Sequence, residues 1–452
     1  MAFAHRPRFS REPSREPLRG ARFFMTARGH LATLLFVSVV GPRCTRATSE
    51  NIQLWKTTEK GPGKLEAALA DPAVEPKLRA EAAVALVDIG RADQVDKTFE
   101  ATPPDARRAI VDSLIPLFTA AAQDSAPEKS LANRDALFSI RSYADPVPAG
   151  QIDVFLRGLI EKDLRVGRVR NGRHSVEKIL AAAPRPSADM LAELLGQPLE
   201  PFAVTAVTEL LAKLGDEGER EAGASRLVAR ARTQHPIPDP VWRSIGLLGG
   251  AASRKFLGEE IESGRHEDAT AAARALQQRR EPAMLGLALQ VAANPKADRT
   301  VRDEMFGVVE TIGGLQARAA LLDIIRTDRE DVVRYRAFES LLAVAPTDGV
   351  LAGLDAFPAG ASYKKEDVED LLVKLIEKVG PAARPQLLKG LDSRSALTRM
   401  AAVMTLEQLG TSADEAALGR KSSDSGAPKG FPAGDSVGKE AVVVAGIVRS
   451  RK

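Results

Sequence analysis

Residues 302–313 read RDEMFGVVETIG, and the same pattern returns at residues 334–345 as RYRAFESLLAVA and at residues 399–410 as RMAAVMTLEQLG. In each copy the fourth, eighth and eleventh positions are apolar. Spacings of four and three place these side chains on one face of an α-helix. Each copy therefore predicts one amphipathic helix.

The copies recur along the chain at a nearly constant period. Two earlier copies are RAEAAVALVDIG at residues 79–90 and VTAVTELLAKLG at residues 204–215, and weaker copies begin at residues 238, 269 and 369. From the copy at 204 onward the starts are 34, 31, 33, 32, 35 and 30 residues apart. Repetition at a fixed period predicts stacked structural units rather than separate globular domains.

Glycine marks the end of most copies. It can adopt the left-handed backbone conformation that follows many helix ends. We therefore predict that each helix ends at this position. The glycines at the twelfth position are Gly90, Gly215, Gly249, Gly313, Gly380 and Gly410.

A second helix and a polar turn are predicted ahead of each clear copy. The stretch ARAALLDIIRTDREDVV, which precedes Arg334, contains an apolar segment of about ten residues and then an acidic turn. An aspartate in such a turn can cap the next helix and interacts favourably with its dipole. We assign structural roles to these aspartates and to the arginines that head the copies: Asp71, Arg79, Asp298, Arg302, Asp328, Arg334, Asp392 and Arg399.

A helix, an acidic turn and a helix repeated about every 32 residues resemble the HEAT repeat family in its short bacterial form. The resemblance covers residues 61–418. It is weaker over residues 100–200, where ARRAIVDSLIPLFTAAA and RHSVEKILAAA fit as degenerate copies. The resemblance implies an all-α solenoid of about ten helical hairpins, with an extended concave surface used for binding.

Composition divides the rest of the chain. Residues 1–47 are interpreted as an export leader, and residues 48–60, which contain Trp55, as a linker and N-terminal cap of the solenoid. Residues 419–452 are rich in Gly, Ser, Pro and mixed charges, which predicts a disordered tail. The alternative for Ala441–Val448 is a strand or short helix that forms on docking to a partner.

The leader contains an eleven-residue apolar run, Leu31–Gly41. That run is too short to span a bilayer, which takes about 20 residues, but it matches the h-region of a secretory signal. Cys44, the single cysteine, follows it and resembles the lipidation site of bacterial lipoproteins. Cleavage after Ala47 and the absence of export are the alternatives, and Met25 is an alternative start.

The charge distribution separates the leader from the body. Residues 1–44 hold eight arginines and two glutamates, which leaves 56 basic and 58 acidic side chains in residues 45–452. The high isoelectric point therefore belongs to the leader. A nearly neutral body does not have the basic footprint of a nucleic-acid-binding domain, so no nucleic-acid partner is expected.

Specific motifs of nucleotide-binding and metal sites are absent from the sequence. It contains no phosphate loop, HExxH or CxxC pattern. The histidines of the body, His174, His235 and His266, have no second histidine three or four residues away. We therefore expect no cofactor, no metal and no catalytic residues.

One local basic cluster stands out. RVGRVRNGRH carries Arg165, Arg168, Arg170 and Arg173. Four guanidinium groups in nine residues predict either a patch that binds an anion or a partner, or a solvated turn between helices. Trp242, in HPIPDPVWRSIG, is interpreted either as an exposed recognition side chain or as part of the core.

These observations favour a non-enzymatic, exported scaffold, either a membrane-anchored lipoprotein or a periplasmic protein, that binds a protein partner on its concave face. The alternative is an intracellular adaptor of the same fold. A minor alternative follows from fold alone, because short bacterial HEAT repeats resemble those of the phycobilisome lyases, which attach bilins to protein cysteines. No residue of this sequence matches a catalytic role in that family.

Overall fold

The computed structural model describes residues 46–263 and 265–451. Three features of the predicted leader, the run Leu31–Gly41, Cys44 and Met25, lie outside the described residues. The leader, its processing and its lipidation therefore stay predictions.

The described residues form 24 α-helices and contain no β-strand. The helices are α1 (Ser49–Trp55), α2 (Gly61–Ala70), α3 (Pro76–Asp88), α4 (Ala92–Ala101), α5 (Pro104–Ala121), α6 (Pro127–Ile140), α7 (Pro146–Arg165), α8 (Val176–Leu180), α9 (Pro184–Leu195), α10 (Pro201–Leu214), α11 (Glu217–Ala231), α12 (Asp239–Leu248), α13 (Gly250–Ser263), α14 (His266–Leu276), α15 (Leu285–Ala292), α16 (Arg299–Ile312), α17 (Gly314–Thr327), α18 (Asp331–Val344), α19 (Asp348–Ala356), α20 (Lys365–Val379), α21 (Arg384–Gly390), α22 (Ala396–Leu409), α23 (Glu415–Gly419) and α24 (Val437–Arg449).

The helices alternate between two layers. From α9 onward the odd-numbered helices form the first layer, here called the A layer, and the even-numbered helices form the second, here called the B layer. Each B helix packs on the next B helix along the chain, as α10 does on α12 and α14 does on α16. Packing between neighbours in sequence alone defines a solenoid. The predicted all-α fold of stacked helical hairpins is confirmed.

The B helices coincide with the sequence copies. The copy at residues 302–313 forms α16, and its apolar positions Met305, Val309 and Ile312 are all buried. The copy at residues 334–345 forms α18 in the same way. The apolar face that the period predicts is therefore the face that packs into the core.

The glycines that end the copies act in two ways. Gly90, Gly249, Gly313 and Gly380 have positive φ angles of 59° to 76°, as the helix-end prediction requires. Gly410 instead has an ordinary φ, but a Cβ there would lie 2.4 Å from the Leu406 carbonyl oxygen. At this position glycine is required by close packing rather than by a left-handed turn.

The arginine at the head of a copy links three segments of the solenoid. Arg302 is buried, and its Nε donates to the carbonyl of Ala292, the last residue of α15, at 2.9 Å. Its Nη2 donates to Asp328 of the next turn at 3.0 Å, and Nη1 lies 3.3 Å from Glu330. The side chain therefore satisfies a helix C-terminus in its own repeat and a carboxylate in the next.

The other heading arginines make related contacts. Arg79 donates from Nε to the carbonyl of Leu69 at 2.7 Å, and Arg334 to the carbonyl of Asp328 at 2.7 Å. Arg399 binds Asp424 through Nε and Nη2, at 2.7 Å and 3.2 Å. Asp328 and Asp424 thus pair with the arginine of the preceding copy, whereas Arg334 pairs with Asp331 of its own helix.

Of the remaining aspartates of the set, Asp71 and Asp298 bond to the backbone of turns or helix starts, and Asp392 forms an ion pair. Asp71 accepts from the backbone N–H of Ala73 at 2.8 Å. Asp298 caps α16 by accepting from the N–H of Thr300 at 2.7 Å and also faces His266. Asp392 is exposed and pairs with Lys421 at 2.6 Å.

A helix covers each end of the described solenoid. At the N-terminal end, α1 packs on α2 and α3 and buries Trp55, with Lys64 above the indole ring.

At the C-terminal end, the prediction of a disordered tail is wrong. Helix α24 packs on α22 and α23 and buries Val437, Ala441, Val444 and Val448 completely. These four side chains form one apolar face, which is why the segment folds on the solenoid without a partner.

The Arg399–Asp424 pair predicts acid sensitivity at this end. Hydrogen bonds from Arg399 hold the pKa of the Asp424 carboxyl below its usual value. A carboxyl whose pKa is lower in the folded state stabilises the fold above its unfolded-state pKa, and that stabilisation is lost as the pH falls through the folded-state value. We expect the free energy of unfolding of the native chain to fall toward that of Asp424→Asn below about pH 4. Denaturant titrations from pH 7 to pH 3 measure this, and parallel curves for the two proteins would contradict it.

Candidate functional site

A ten-residue loop, residues 166–175, interrupts the solenoid between α7 and α8. The weak copy RHSVEKILAAA was expected to contribute a repeat helix here, but it forms only the five-residue α8. The loop lies against α6 on one side and α10 on the other, since it lines cavities with both helices. The predicted basic cluster lies on this loop and on the last turn of α7.

Buried polar side chains of α6 hold the loop in place. Arg134, which is 3% exposed, donates from Nη2 to the carbonyl of Arg170 at 2.7 Å. Asp135, which is 6% exposed, accepts from the backbone N–H of Arg173 through Oδ2 at 2.5 Å. A Cβ at Gly172 would lie 1.9 Å from that same oxygen, so only glycine lets the loop approach the carboxylate this closely.

The side chains of the four arginines in the basic cluster point to different parts of the structure. Arg165 pairs with Glu161 and bonds to Gln197, and Arg173 pairs with Asp96 of α4. Arg170 lines a cavity of about 310 Å³ together with Arg134. The exposed guanidinium of Arg168 makes no hydrogen bond or ion pair with a described residue. Their side chains therefore face different partners instead of converging on one anion.

A serine and a histidine meet beside the loop. Ser139 Oγ lies 3.0 Å from His174 Nε2, and Lys178 Nζ lies 3.5 Å from His174 Nδ1. Burial, followed by the positive charge of Lys178, lowers the pKa of His174. An ammonium group can only donate, so a neutral ring that accepts from Lys178 carries its proton on Nε2 and donates it to Ser139. In the other tautomer Nε2 is placed to accept the serine proton.

A second region lies on the exposed face of the B layer. A cavity of about 320 Å³ between α12, α14 and α16 is lined by Arg243, Arg274 and Glu304, among others. A cavity of about 430 Å³ between α16 and α18 is lined by Asp303, Glu304 and Tyr335, among others. Glu304 belongs to both. We call the face formed by these two cavities the B-face surface.

The cavities of the B layer follow the sequence repeat. The second residue of a copy lines a cavity at Thr205, Asp239, Asp303 and Tyr335. The sixth residue does so at Glu209, Arg243, Arg274 and Glu339. The same two helical positions therefore create equivalent grooves in successive repeats.

Ion pairs hold neighbouring B helices at fixed spacing. Arg274 Nε lies 2.7 Å from Glu304 Oε1, and Arg336 Nη1 lies 2.6 Å from Glu310 Oε1. Gln277 donates to the carbonyl of Glu304 at 2.9 Å. Because these pairs connect α14, α16 and α18, they fix the width of the grooves between them.

Other polar groups of the B-face surface have no partner within the described residues. Asp239, Arg243, Arg299 and Asp303 are exposed and make no side-chain hydrogen bond or ion pair there. The hydroxyl of Tyr335 is buried without a hydrogen bond, and burial raises its pKa. The surface thus offers exposed charges of both signs to another molecule.

Of the two interpretations of Trp242, an exposed recognition side chain or a core residue, the structure supports the core residue. Trp242 is 3% exposed and stacks on Phe256 of α13 with ring centroids 5.5 Å apart. The exposed aromatic of the B layer is instead Phe202 of α10, which is 65% exposed. Phe202 stands two residues before the first position of its copy, as the 43% exposed Val332 does in α18.

The part of the chain that the structure describes contains no candidate metal-binding group and no candidate membrane span. No group of three or more His, Cys, Asp or Glu side chains is placed to hold a metal ion there. No helix among those residues combines the length and apolar character that a membrane span requires.

Comparisons with known proteins do not assign this chain to a family. No family model and no curated protein matches this sequence. The crystal structure of Kap121p matches with a TM-score of 0.37 and 14% identity, covering 80% of this chain and 38% of that chain. The structure of human deoxyhypusine hydroxylase in complex with glycerol matches with a TM-score of 0.18 and 13% identity, covering 75% of this chain and 97% of that chain. At these scores neither likeness carries a functional conclusion.

Proposed function

We propose that this chain is a non-enzymatic scaffold that binds a protein partner along the B-face surface. The observation that carries the proposal is the row of equivalent grooves with unpaired charges on α12 and α16. A partner must be extended to contact several repeats at once, as a protein or a long peptide is. Solenoids use such repeated surfaces for binding.

The chemistry of the B-face surface supports a polar, specific interface. Asp239 and Asp303 would bind basic side chains of the partner, and Arg243 and Arg299 would bind acidic side chains. Complementary charges set the register and orientation of a partner more than they set the affinity. Val332 supplies an exposed apolar anchor within the B-face surface, and Phe202 supplies another on α10 of the same layer.

The non-enzymatic part of the proposal has its own support. With Lys178 donating to Nδ1 of His174, the ring would hold its proton toward Ser139 and would not activate that serine as a nucleophile. The two charged groups that lie closest together in the cavity between α12, α14 and α16, Arg274 and Glu304, are paired with each other.

Charge reversal in the B-face surface tests partner binding. In the native chain each of these charges would face an opposite charge on the partner. Arg243→Glu and Asp303→Lys reverse the sign, so each variant would place a like charge against the same partner group. We expect each to reduce recovery of the partner at least tenfold, about 1.4 kcal/mol. The measurement is quantitative mass spectrometry of proteins that copurify with the tagged full-length chain from its native cells.

The matched control is Lys255→Glu, which reverses an exposed charge on α13 of the A layer. It should leave partner recovery unchanged. Unchanged recovery with both B-face variants would contradict the proposal, and a loss with Lys255→Glu alone would assign binding to the A layer.

We further propose that the protein is exported and acts at the cell envelope, with Cys44 as a lipid anchor. The support is the apolar run Leu31–Gly41 followed by a single cysteine. Intact mass and N-terminal peptide analysis of the native protein from separated membrane and soluble fractions tests this. A lipid-modified N-terminal Cys44 in the membrane fraction supports an anchor, and a soluble chain starting at Thr48 supports signal cleavage. An unprocessed chain that retains the run contradicts export and supports the intracellular adaptor.

A further inference from the structure

A separate cavity of about 320 Å³ lies under the loop, between α4 and α6. Its walls are mainly apolar, with Val95, Leu131, Ala132 and Ile140 among them. We call it the Asp135 cavity after the carboxylate of α6 that lines it. Its volume falls at the lower end of the range of sites for small organic ligands.

The charged groups of the Asp135 cavity are mostly acidic. Three carboxylates line it, those of Asp96, Glu128 and Asp135, against one guanidinium, that of Arg173. Arg173 is already paired with Asp96 at the edge of the loop. The lining therefore has an excess of negative charge in otherwise apolar surroundings, where electrostatic interactions are stronger than in water.

Asp135 is the polar group that most needs a further partner. It is 6% exposed, and its Oδ2 accepts from the N–H of Arg173, while its buried Oδ1 has no hydrogen bond. The nearest cation, Nη2 of Arg134, is 3.9 Å from Oδ1 and donates to the carbonyl of Arg170 instead. That oxygen has almost no accessible surface, so a ligand does not bond to it directly. Its uncompensated negative charge instead attracts a cation held in the cavity.

From this geometry we propose that the Asp135 cavity binds a small organic cation, an ammonium group on a compact apolar body. The apolar walls take the body, and the carboxylates of Asp96, Glu128 and Asp135 favour the ammonium over a neutral or anionic head group. This site lies at the loop and α6, apart from the B-face surface on α12–α18, so it does not depend on the proposed protein binding.

Matched six-carbon probes test the proposal by isothermal titration calorimetry with the full chain. Hexylammonium should bind saturably with a Kd on the order of 0.1–1 mM, as suits a ligand of seven heavy atoms. Hexanol carries the same apolar body with a neutral head group, and hexanoate carries an apolar body one methylene shorter with an anionic head group. We expect each of them to bind at least tenfold more weakly.

Two variants identify the site. Asp135→Asn keeps an acceptor for the Arg173 N–H but removes the charge, and should weaken hexylammonium binding at least tenfold. Ala132→Phe fills the cavity and should abolish binding even if Asp135→Asn proves poorly folded. Asp323→Asn, which removes an exposed carboxylate on α17, is the control and should bind hexylammonium as the native chain does.

Three outcomes would overturn the proposal. Equal affinity for hexylammonium, hexanol and hexanoate would show that the carboxylates do not select the head group. Unchanged binding by Ala132→Phe would place the ligand elsewhere. Binding of a lysine-containing peptide without binding of hexylammonium would make the cavity part of a protein interface.

Discussion

Val444→Asp is expected to unfold the C-terminal end of the solenoid. Val444 is completely buried where α24 packs on α22 and α23. An uncompensated buried charge costs roughly 3 to 5 kcal/mol. Because stability in a solenoid is a sum of local terms, the loss should be concentrated in the last hairpins. Native-state hydrogen exchange should show α22 and α24 unprotected, with α10–α16 unchanged.

The neighbouring residue provides the control. Val443 is 57% exposed on the opposite side of α24, so Val443→Asp should change the free energy of unfolding by no more than about 0.5 kcal/mol. Equal protection of α22 and α24 in both variants would contradict the packing of this helix. It would favour the disordered tail that the composition of residues 419–452 suggests.

Arg302→Ala is expected to destabilise the middle of the solenoid by roughly 3 to 5 kcal/mol. The substitution removes the donor to the Ala292 carbonyl and leaves the nearly buried Asp328 without its Nη2 partner. The helices on both sides, α15 and α18, lose a shared contact. The measurement is denaturant unfolding, with hydrogen exchange to locate the loss.

Arg299→Ala on the same helix is the matched control, since Arg299 is exposed and unpaired and should cost less than about 0.5 kcal/mol. Adding Asp328→Asn to Arg302→Ala should recover part of the loss, because it removes the uncompensated carboxylate. If both arginine variants unfolded at the same denaturant concentration, the proposed role of Arg302 would be wrong.

The repeat itself was predictable because its signal is local. The spacing of Met305, Val309 and Ile312 requires a helix whatever surrounds it, and the glycine after it marks the end. The pairing partner of Arg302 was not predictable in the same way. Its own turn contains Asp298, but the structure pairs it with Asp328, one repeat later, because stacking brings that turn closer.

The C-terminal helix was missed although its signal was present. Gly, Ser and Pro dominate residues 421–436, and that composition was extended to the whole tail. Two features pointed the other way. Asp424 follows Arg399 by 25 residues, much as Asp328 follows Arg302, and the apolar residues from Val437 to Val448 have helical spacing. Both features indicate one more repeat.

The candidate sites could be predicted only in part. The basic loop was visible as a run of arginines, but its surroundings come from distant segments. Asp96 is 77 residues from Arg173, and Asp135 is 38 residues from it. The repeated grooves of the B layer were implicit in the period, since positions two and six of each copy lie outside its apolar face. Their depth and their unpaired charges depend on side-chain packing.

Site-specific photo-cross-linking tests the central claim of a protein-binding B-face surface most directly. A photoreactive amino acid at position 303 on α16, in the full chain in its native cells, should give one discrete cross-linked protein. The same group at position 255 on α13 should give none. A discrete product from position 255 with none from position 303 would contradict partner binding through the B layer.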